Sequence, residues 1–310
     1  MILDAITLAI SFLVARVLYP RLIPLLRRVQ LGQVIQAELS PVHQSKAGTP
    51  TAGGILFVAL AVLAGILAHR AGHPGTAAVT LALALFGLLG LADDVAKRRR
   101  GASGLRARYK FPLQVLLALP VVALAQGSQH LIPSPAGGLI WPLGVVAVVG
   151  AANAVNLTDG VDGLAGLSGL LAVLGTTLLL GGAVAGEKAV AMTLAGALIA
   201  FLVWNRHPAR VFMGDAGSLG LGAALAALAI QQHWLVLLPV VGLVFVIETL
   251  SVMIQVSYFK LTGGRRVFRM TPIHLTLQLE GWSENRIALV FGGVTAISVF
   301  ASAWLGAVLA

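Results

Sequence analysis

The chain has 310 residues, of which 58% are hydrophobic and 10% charged, and it contains no Cys. Soluble domains carry about 25% charged residues, so the composition excludes an ordinary soluble protein, and the lack of Cys excludes a disulfide scaffold and a zinc–thiolate site. The net charge of +10 would suit a nucleic-acid-binding protein only if the cations clustered on a soluble surface. We therefore predict an all-α, polytopic integral membrane protein with no nucleic-acid partner.

Ten apolar segments are long enough to cross a bilayer as helices, since a spanning helix needs about 20 mostly apolar residues. The segments are centred on 3–20, 52–68, 76–92, 111–126, 139–156, 164–182, 189–204, 217–231, 234–258 and 287–309. The ninth is long enough to be tilted, kinked or partly interfacial.

Nearly all cations fall in the loops of one membrane face. If the ten spans alternate in direction, all but three of the 21 Lys and Arg lie on one side. The exceptions are Arg16, inside the first span, and Arg70 and Lys188 on the opposite face. Loops rich in Lys and Arg stay in the cytoplasm. We therefore predict that the basic face is cytoplasmic and that both termini are external.

Five carboxylates lie on the same predicted face. Asp93 and Asp94 end the third span, Asp159 and Asp162 follow the fifth, and Asp215 follows the seventh. Carboxylates at a membrane edge are costly unless they are paired, solvated or bound to metal. Together with the many cations, they indicate an anionic substrate held through a divalent ion.

The second cytoplasmic loop combines adjacent acids with a basic run. Asp93 and Asp94 would point about 100° apart on a helix, so one can bind metal or position a phosphate while the other takes a proton. We predict that Lys97 and Lys110 contact phosphate. The run Arg98 to Arg100 is interpreted as a topology signal and a lipid-headgroup contact.

Polar side chains recur at every third position in the third loop. They are Asn153, Asn156, Asp159 and Asp162. A continuous helix would stack all four on one side, but we expect Gly160 and Gly163 to break the helix and leave amides free near the carboxylates. Helix packing through small residues explains the glycines but not the four polar residues.

Two further loops carry motifs with open alternatives. Asp215 lies between glycines at a helix start, which suits a metal ligand beside a bulky phosphate. Phe212 is predicted to stack on a nucleobase or to be an ordinary interfacial aromatic. In the first loop, the Gly- and Pro-rich stretch from Lys46 to Gly54 is predicted to bind an anion through exposed amides or to form a turn with close helix packing.

The last cytoplasmic segment contains His274 in a basic, proline-bracketed loop. We interpret Trp282 as an interfacial aromatic and Ser283 as the N-cap of the last span, with no functional role for either. Glu248, inside the ninth span, is predicted to be structural or to hold a loop.

Together these segments resemble the polyprenyl-phosphate N-acetylhexosamine-1-phosphate transferases. The matching blocks run in order through nearly the whole chain, at 46–54, 93–110, 153–165, 205–218 and 248–284. The last block, which contains Arg269-Met-Thr-Pro-Ile-His274, is typical of the branch that uses a muramoyl-pentapeptide donor. One departure is that the family usually has three consecutive His where this chain has His274-Leu275-Thr276.

The resemblance implies a single transmembrane transferase domain over 1–310, with active-site loops at 24–50, 93–110, 153–163, 204–217 and 260–286. It implies a bacterial inner-membrane enzyme whose site faces the cytoplasm and uses Mg²⁺. The reaction would transfer phospho-MurNAc-pentapeptide from UDP-MurNAc-pentapeptide to undecaprenyl phosphate, giving lipid I and UMP. The sequence leaves a homodimer open.

The resemblance also implies roles for individual residues. Asp215 would bind Mg²⁺, and Asp93, with Asp94 beside it, would act as a base or orient the attacking lipid phosphate. The predicted substrate-binding residues are Lys46, Lys97, Lys110, Asn153, Asn156, Asp159, Asp162, Asn205, Phe212 and His274, of which Lys46, Asp162 and Phe212 would contact the uridine end.

Three other functions are weighed against this one. The first is a transferase of the same fold that uses UDP-GlcNAc. The second is a secondary transporter, because broken helices and carboxylates at the membrane midplane also serve transport. The charges here lie at one membrane edge, however, and the sequence shows no inverted repeat. The third is a purely structural membrane protein, which would leave five edge carboxylates unexplained.

Overall fold

The computed structural model describes residues 2–29, 48–100, 104–127, 137–179 and 185–309. In these ranges the regular structure is helical, apart from an isolated bridge at Pro50. The helices are α1 Ile2–Arg28, α2 Ile55–Arg70, α3 Thr76–Arg100, α4 Ala107–Gly127, α5 Gly137–Thr158, α6 Leu164–Leu174, α7 Ala185–Asn205, α8 Gly214–Gln231, α9 Leu238–Val241, α10 Leu243–Leu261, α11 Ile273–Leu279 and α12 Glu284–Leu309. A π-helical turn, Gly175–Leu179, extends α6. The predicted all-α class is confirmed.

Seven of the helices in the described ranges are long and apolar enough to cross a membrane. Their outward faces carry large apolar side chains, for example Leu13 on α1 and Ile297 and Trp304 on α12. In water such a surface would drive aggregation, whereas lipid tails solvate it. The chain is an integral membrane protein, as predicted.

The other three predicted spans coincide with helices that are either short or buried along their whole length. The segments Ile55–Arg70 and Leu164–Leu179 are apolar but short, and α8 is covered by protein on every side. The ninth predicted span is interrupted at Gly242, which separates α9 from α10; of the three alternatives for this span, an interruption agrees with the kink. The total of ten spans and the external position of the termini stay predictions.

Helix α8 forms the centre of the bundle. All of its residues, from Gly214 to Gln231, are buried, and it packs mainly against α3 and α5. Small residues permit this close approach, since a Cβ at Gly222 would overlap the Ala151 carbonyl of α5 and one at Gly90 of α3 would overlap the Asp215 backbone. The crossing of α3 and α8 therefore fixes Asp215 beside the end of α3.

The predicted active-site loops are shorter than expected because the helices continue into them. Residues 93–100 belong to α3 and residues 107–110 to α4. Helix-forming residues and the pair Asp93 and Lys97, four positions apart, favour this continuation. Asn153 and Asn156 lie in α5. The helix breaks only afterwards, at 159–163, where Gly163 takes a positive φ of 80°, and the predicted break at the glycines is confirmed.

Candidate active site

Two carboxylates and two lysines from three helices form the centre of the site. Lys97 Nζ lies 3.2 Å from Asp93 Oδ2 and 2.6 Å from Asp215 Oδ1. Lys110 Nζ, from α4, lies 3.3 Å from Asp93 Oδ2 and 2.7 Å from Asp215 Oδ2. Each ammonium group therefore bridges the same two buried carboxylates. We call these four residues the acid–lysine centre.

Asp94 holds the start of α8 instead of facing this centre. Its Oδ1 accepts a hydrogen bond from the Asp215 N–H and its Oδ2 accepts one from the Ala216 N–H, both at 3.1 Å. The first amides of a helix have no partner within the helix, and a carboxylate there also interacts favourably with the helix dipole. Asp94 thus fixes the backbone of Asp215, whose carboxylate belongs to the acid–lysine centre. Asp93 and Asp94 therefore belong to one site.

Asn156 extends the centre along α5. Its Nδ2 donates to Asp215 Oδ1 at 3.0 Å and to Ser218 Oγ at 2.9 Å. Asn153 has different contacts, because its Nδ2 donates to Gln114 Oε1 and to the Val149 carbonyl, both at 2.8 Å. The structure therefore brings Asn156 to the acid–lysine centre, while Asn153 ties α5 to α4.

Asp159 lies next to the same cluster, just beyond the end of α5. Burial raises the pKa of its carboxyl group well above the ordinary value, and repulsion from Asp215 and Asp94 raises it further, although a hydrogen bond from the Gly214 N–H acts in the opposite direction. Among the residues that the structure describes here, Asp94 and Asp159 thus lie close to the acid–lysine centre, whose own two carboxylates contact two ammonium groups. A bound cation would relieve the repulsion among these carboxylates.

The turn 159–163 joins the loop that follows α7. The Gly163 N–H donates to Asn205 Oδ1 at 3.0 Å, and Asn205 Nδ2 donates to the Val211 carbonyl at 2.9 Å. Asp162 Oδ2 accepts a hydrogen bond from the Ala209 N–H at 3.0 Å and lies 2.9 Å from His207 Nδ1. Asn205 and Asp162 are therefore both engaged within the protein, where they order the approach to α8.

Phe212 lies beside the segment that leads into α2. Its N–H donates to the Pro50 carbonyl at 2.8 Å, and its carbonyl accepts from the Gly53 N–H at 2.9 Å. Gly53 and Gly54 pack so closely on residues 211–217 that added Cβ atoms would overlap them. For the Gly- and Pro-rich stretch that ends at Gly54, the close helix packing that was the second sequence alternative is therefore present. Lys46 lies outside the described residues.

His274 is buried beneath the turn 159–163. Its Nδ1 lies 3.1 Å from Glu248 Oε2, and its Nε2 lies against Gly160. Both side chains are fully enclosed, with 1% and 0% of their area exposed. Thr276, on the same helix, bonds to both the N–H and the carbonyl of Met270. The structure thus places His274 as a support of the turn, apart from the acid–lysine centre.

A second cluster offers ligand atoms that could hold a metal ion. Atoms of Asp162, His207 and Glu284 lie within 4.8 Å of one another. Both carboxylates of this cluster already accept backbone hydrogen bonds, Asp162 from the Ala209 N–H and Glu284 from the Asp162 N–H. Hydrogen bonding therefore accounts for this cluster. Asp93 and Asp215 of the acid–lysine centre also offer carboxylate oxygens, the ligands that Mg²⁺ prefers, and in this structure ammonium groups contact both carboxylates.

Comparison with known proteins decides the family. The model of glycosyl transferase family 4 matches residues 76–233. The chain is 42% identical to the phospho-N-acetylmuramoyl-pentapeptide-transferase of Heliobacterium modesticaldum, over 94% of this chain and 92% of the relative. It is 44% identical to that of Desulforamulus reducens, over 91% and 89%, and 42% identical to that of Carboxydothermus hydrogenoformans, over 96% and 97%. The chain belongs to the phospho-N-acetylmuramoyl-pentapeptide-transferase family.

The family resemblance predicted from the sequence is thus confirmed. The matched segment 76–233 runs from α3 to just beyond α8 and contains the whole acid–lysine centre. Glu248, His274 and Glu284 lie beyond it, but the relatives cover nearly the whole chain. In this transferase, therefore, the C-terminal helices contribute to the turn 159–163 from outside the segment that the family model matches.

Several residues of the site were missed or dismissed from the sequence. Ser218 and Gln114 contact the two Asn side chains of α5, while His207 and Glu284 approach Asp162. Gln114 had a usable signal, since it is a polar residue inside an apolar span. Ser218 follows the Asp215 motif directly. His207 and Glu284 lie inside the matching blocks 205–218 and 248–284, but each resembles an ordinary residue of a loop or a helix start, so neither was assigned a role.

Proposed function

We propose that this chain transfers phospho-MurNAc-pentapeptide from UDP-MurNAc-pentapeptide to undecaprenyl phosphate, giving lipid I and UMP. The observation that carries the proposal is the acid–lysine centre, in which two buried carboxylates share two ammonium groups at the end of a buried helix. The names of the relatives support the muramoyl-pentapeptide donor over UDP-GlcNAc.

Lys97 and Lys110 would bind the anionic groups of the two substrates. Both reactants carry phosphate, so bringing them together requires positive charge that reduces their repulsion. The two ammonium groups are held at the centre by Asp93 and Asp215. They are therefore already oriented when substrate arrives, which is how preorganised charge lowers a reaction barrier.

Asp215 would hold Mg²⁺, and Asp93 is the second carboxylate of the same centre. The repulsion among Asp215, Asp94 and Asp159 favours a divalent cation beside them, and oxygen ligands are those that Mg²⁺ prefers. When bound, Mg²⁺ would offset the charge on the diphosphate and on the departing UMP.

Asp93 is the proposed group that orients the attacking lipid phosphate or accepts its remaining proton. In the transfer, an oxygen of the lipid phosphate forms a bond to the β-phosphorus of the donor, and the bond from that phosphorus to UMP breaks. Asp93 Oδ1 accepts a hydrogen bond from the Leu105 N–H at 2.6 Å, which fixes its carboxylate. A phosphate monoester is largely ionised at neutral pH, so little proton transfer is needed.

An apolar groove offers a place for the prenyl chain. It lies between α5 and α10 and is lined almost entirely by apolar atoms. Helix α5 contributes Val146, Gly150 and Val155 to this groove, and the same helix carries Asn156 at the acid–lysine centre. A lipid whose tail lies in the groove would therefore have its phosphate directed toward the centre. The distribution of Lys and Arg supports a site facing the cytoplasm of a bacterial inner membrane.

The decisive experiment uses the purified protein in detergent with undecaprenyl phosphate, Mg²⁺ and one donor at a time. UMP release with UDP-MurNAc-pentapeptide and formation of the lipid-linked product are expected, with little release from UDP-GlcNAc. Preference for UDP-GlcNAc would overturn the donor assignment. Failure to release UMP from either donor would overturn the transferase proposal.

A further inference from the structure

The turn 159–163 is held by side chains from three other parts of the chain. His274 lies beneath Gly160, and Asn205 accepts from the Gly163 N–H. Between these two contacts, the Asp162 N–H donates to Glu284 Oε2 at 2.8 Å. A buried amide of a turn needs such an acceptor, because it has lost water without gaining a partner within a helix.

Glu284 reaches the turn from the first residue of α12. Ser283 Oγ accepts from the Arg286 N–H at 3.3 Å, so a different side chain caps this helix, as the sequence predicted. The Glu284 side chain is thereby available to bind outside its own helix. Glu284 and Asp162 are only 4% and 3% exposed, so their hydrogen bond is shielded from competing water.

His207 completes the arrangement on the other side of Asp162. Its Nδ1 lies 2.9 Å from Asp162 Oδ2 and 3.9 Å from Glu284 Oε1. The backbone amide of Asp162 is thus fixed by one residue and its carboxylate by another. Because the two come from different segments, the turn cannot shift without breaking contacts to both.

We propose that Glu284 is a positioning residue for the donor nucleotide, and that His207 assists it. This inference rests on the proposed function and on the donor-binding roles that the family resemblance implies for Asp159 and Asp162, in the turn 159–163, and for Phe212. Glu284 would set the position of the turn through the Asp162 amide, while the lipid phosphate would bind at the acid–lysine centre, to which neither residue contributes.

The test compares Glu284→Ala, Glu284→Gln and the control Glu280→Ala, which removes an exposed acid from the connection just before α12. Glu284→Ala leaves the Asp162 amide buried without its acceptor, so the KM for the donor should rise about 10-fold. The kcat and the KM for undecaprenyl phosphate should stay close to wild type. Glu284→Gln retains an acceptor oxygen and should restore the donor KM, and Glu280→Ala should change neither constant.

Three outcomes would overturn the inference while leaving the proposed function intact. They are an unchanged donor KM in Glu284→Ala, an equal rise in both KM values, and no rescue by Glu284→Gln. If Glu284→Ala does not give a folded protein, His207→Ala decides the question, because its side chain is 42% exposed. A donor KM unchanged in His207→Ala would then count against the inference. A wild-type protein that releases no UMP would instead overturn the proposed function itself.

Discussion

At the scale of single residues, Asp215 is the most connected group of the site. Its carboxylate contacts both lysines and Asn156, and its backbone amide is bound by Asp94. Asp215→Asn keeps the shape of the side chain but removes the charge that holds the lysines and would bind Mg²⁺. We expect turnover to fall by at least about 100-fold, the size of effect seen when one preorganised electrostatic group is lost.

The measurement is UMP release by purified Asp215→Asn, accompanied by its thermal unfolding and its level in the membrane. A variant that inserts and melts like wild type but turns over at the wild-type rate would remove Asp215 from the mechanism.

Lys97 and Arg99 form a matched pair of cations on the same helix. Lys97 contacts both carboxylates of the centre, whereas Arg99 is exposed and is interpreted as a headgroup contact. Lys97→Ala should lower kcat/KM by about 10-fold or more. Arg99→Ala should change it by less than about twofold, because salt screens an exposed charge. Steady-state assays of the two variants side by side provide the check, and equal losses would contradict the distinction.

At the scale of helices, the start of α8 depends on Asp94. Asp94→Ala would remove the acceptor of two helix amides, and loss of a comparable cap costs about 0.5–2 kcal/mol. We expect a lower melting temperature for Asp94→Ala in detergent, together with reduced activity because Asp215 moves. Asp93→Ala is the control, since Asp93 binds lysines and not helix amides; a larger destabilisation by Asp93→Ala would contradict this assignment.

The contact between α3 and α8 can be tested at Gly90. A Cβ there would overlap the Asp215 backbone, whereas one at Gly150 of α5 would meet nothing within 4 Å. Overpacking costs about 1–3 kcal/mol or more, and backbone cannot move aside as a side chain can. Gly90→Ala should therefore lower the melting temperature and the turnover, while Gly150→Ala should leave the melting temperature near wild type. Equal melting temperatures would show that the helices separate freely.

Much of the architecture at this scale was predictable. The positions of the long apolar helices and the break at the glycines of 159–163 followed from hydrophobicity and from the backbone freedom of Gly163. The lengths of the loops were not predicted. The pair Asp93 and Lys97 favours a longer α3 locally, but the partners from α4 and α8 that these two side chains also bind cannot be identified from neighbouring residues in the sequence.

At the scale of the whole molecule, the site exists only where distant segments meet at one edge of the bundle. The repulsion among neighbouring carboxylates there predicts dependence on a divalent cation. Chelation should abolish UMP release, and added Mg²⁺ should restore it; an unaffected rate under chelation would contradict the proposed role of Asp215. Thermal unfolding should change little on chelation, because helix packing holds the site together without the ion.

The sequence by itself determined the membrane class, the family and the residues able to carry the chemistry, because composition, hydrophobic length and motif spacing are local properties of the chain. Only the tertiary structure decided what each polar residue does. It assigned Asp94 to the start of α8, Asn153 to Gln114, and Glu284 to the turn at Asp162. The physical reason is that a buried polar group must find a partner, and packing of helices far apart in the chain determines which partner lies within hydrogen-bonding distance.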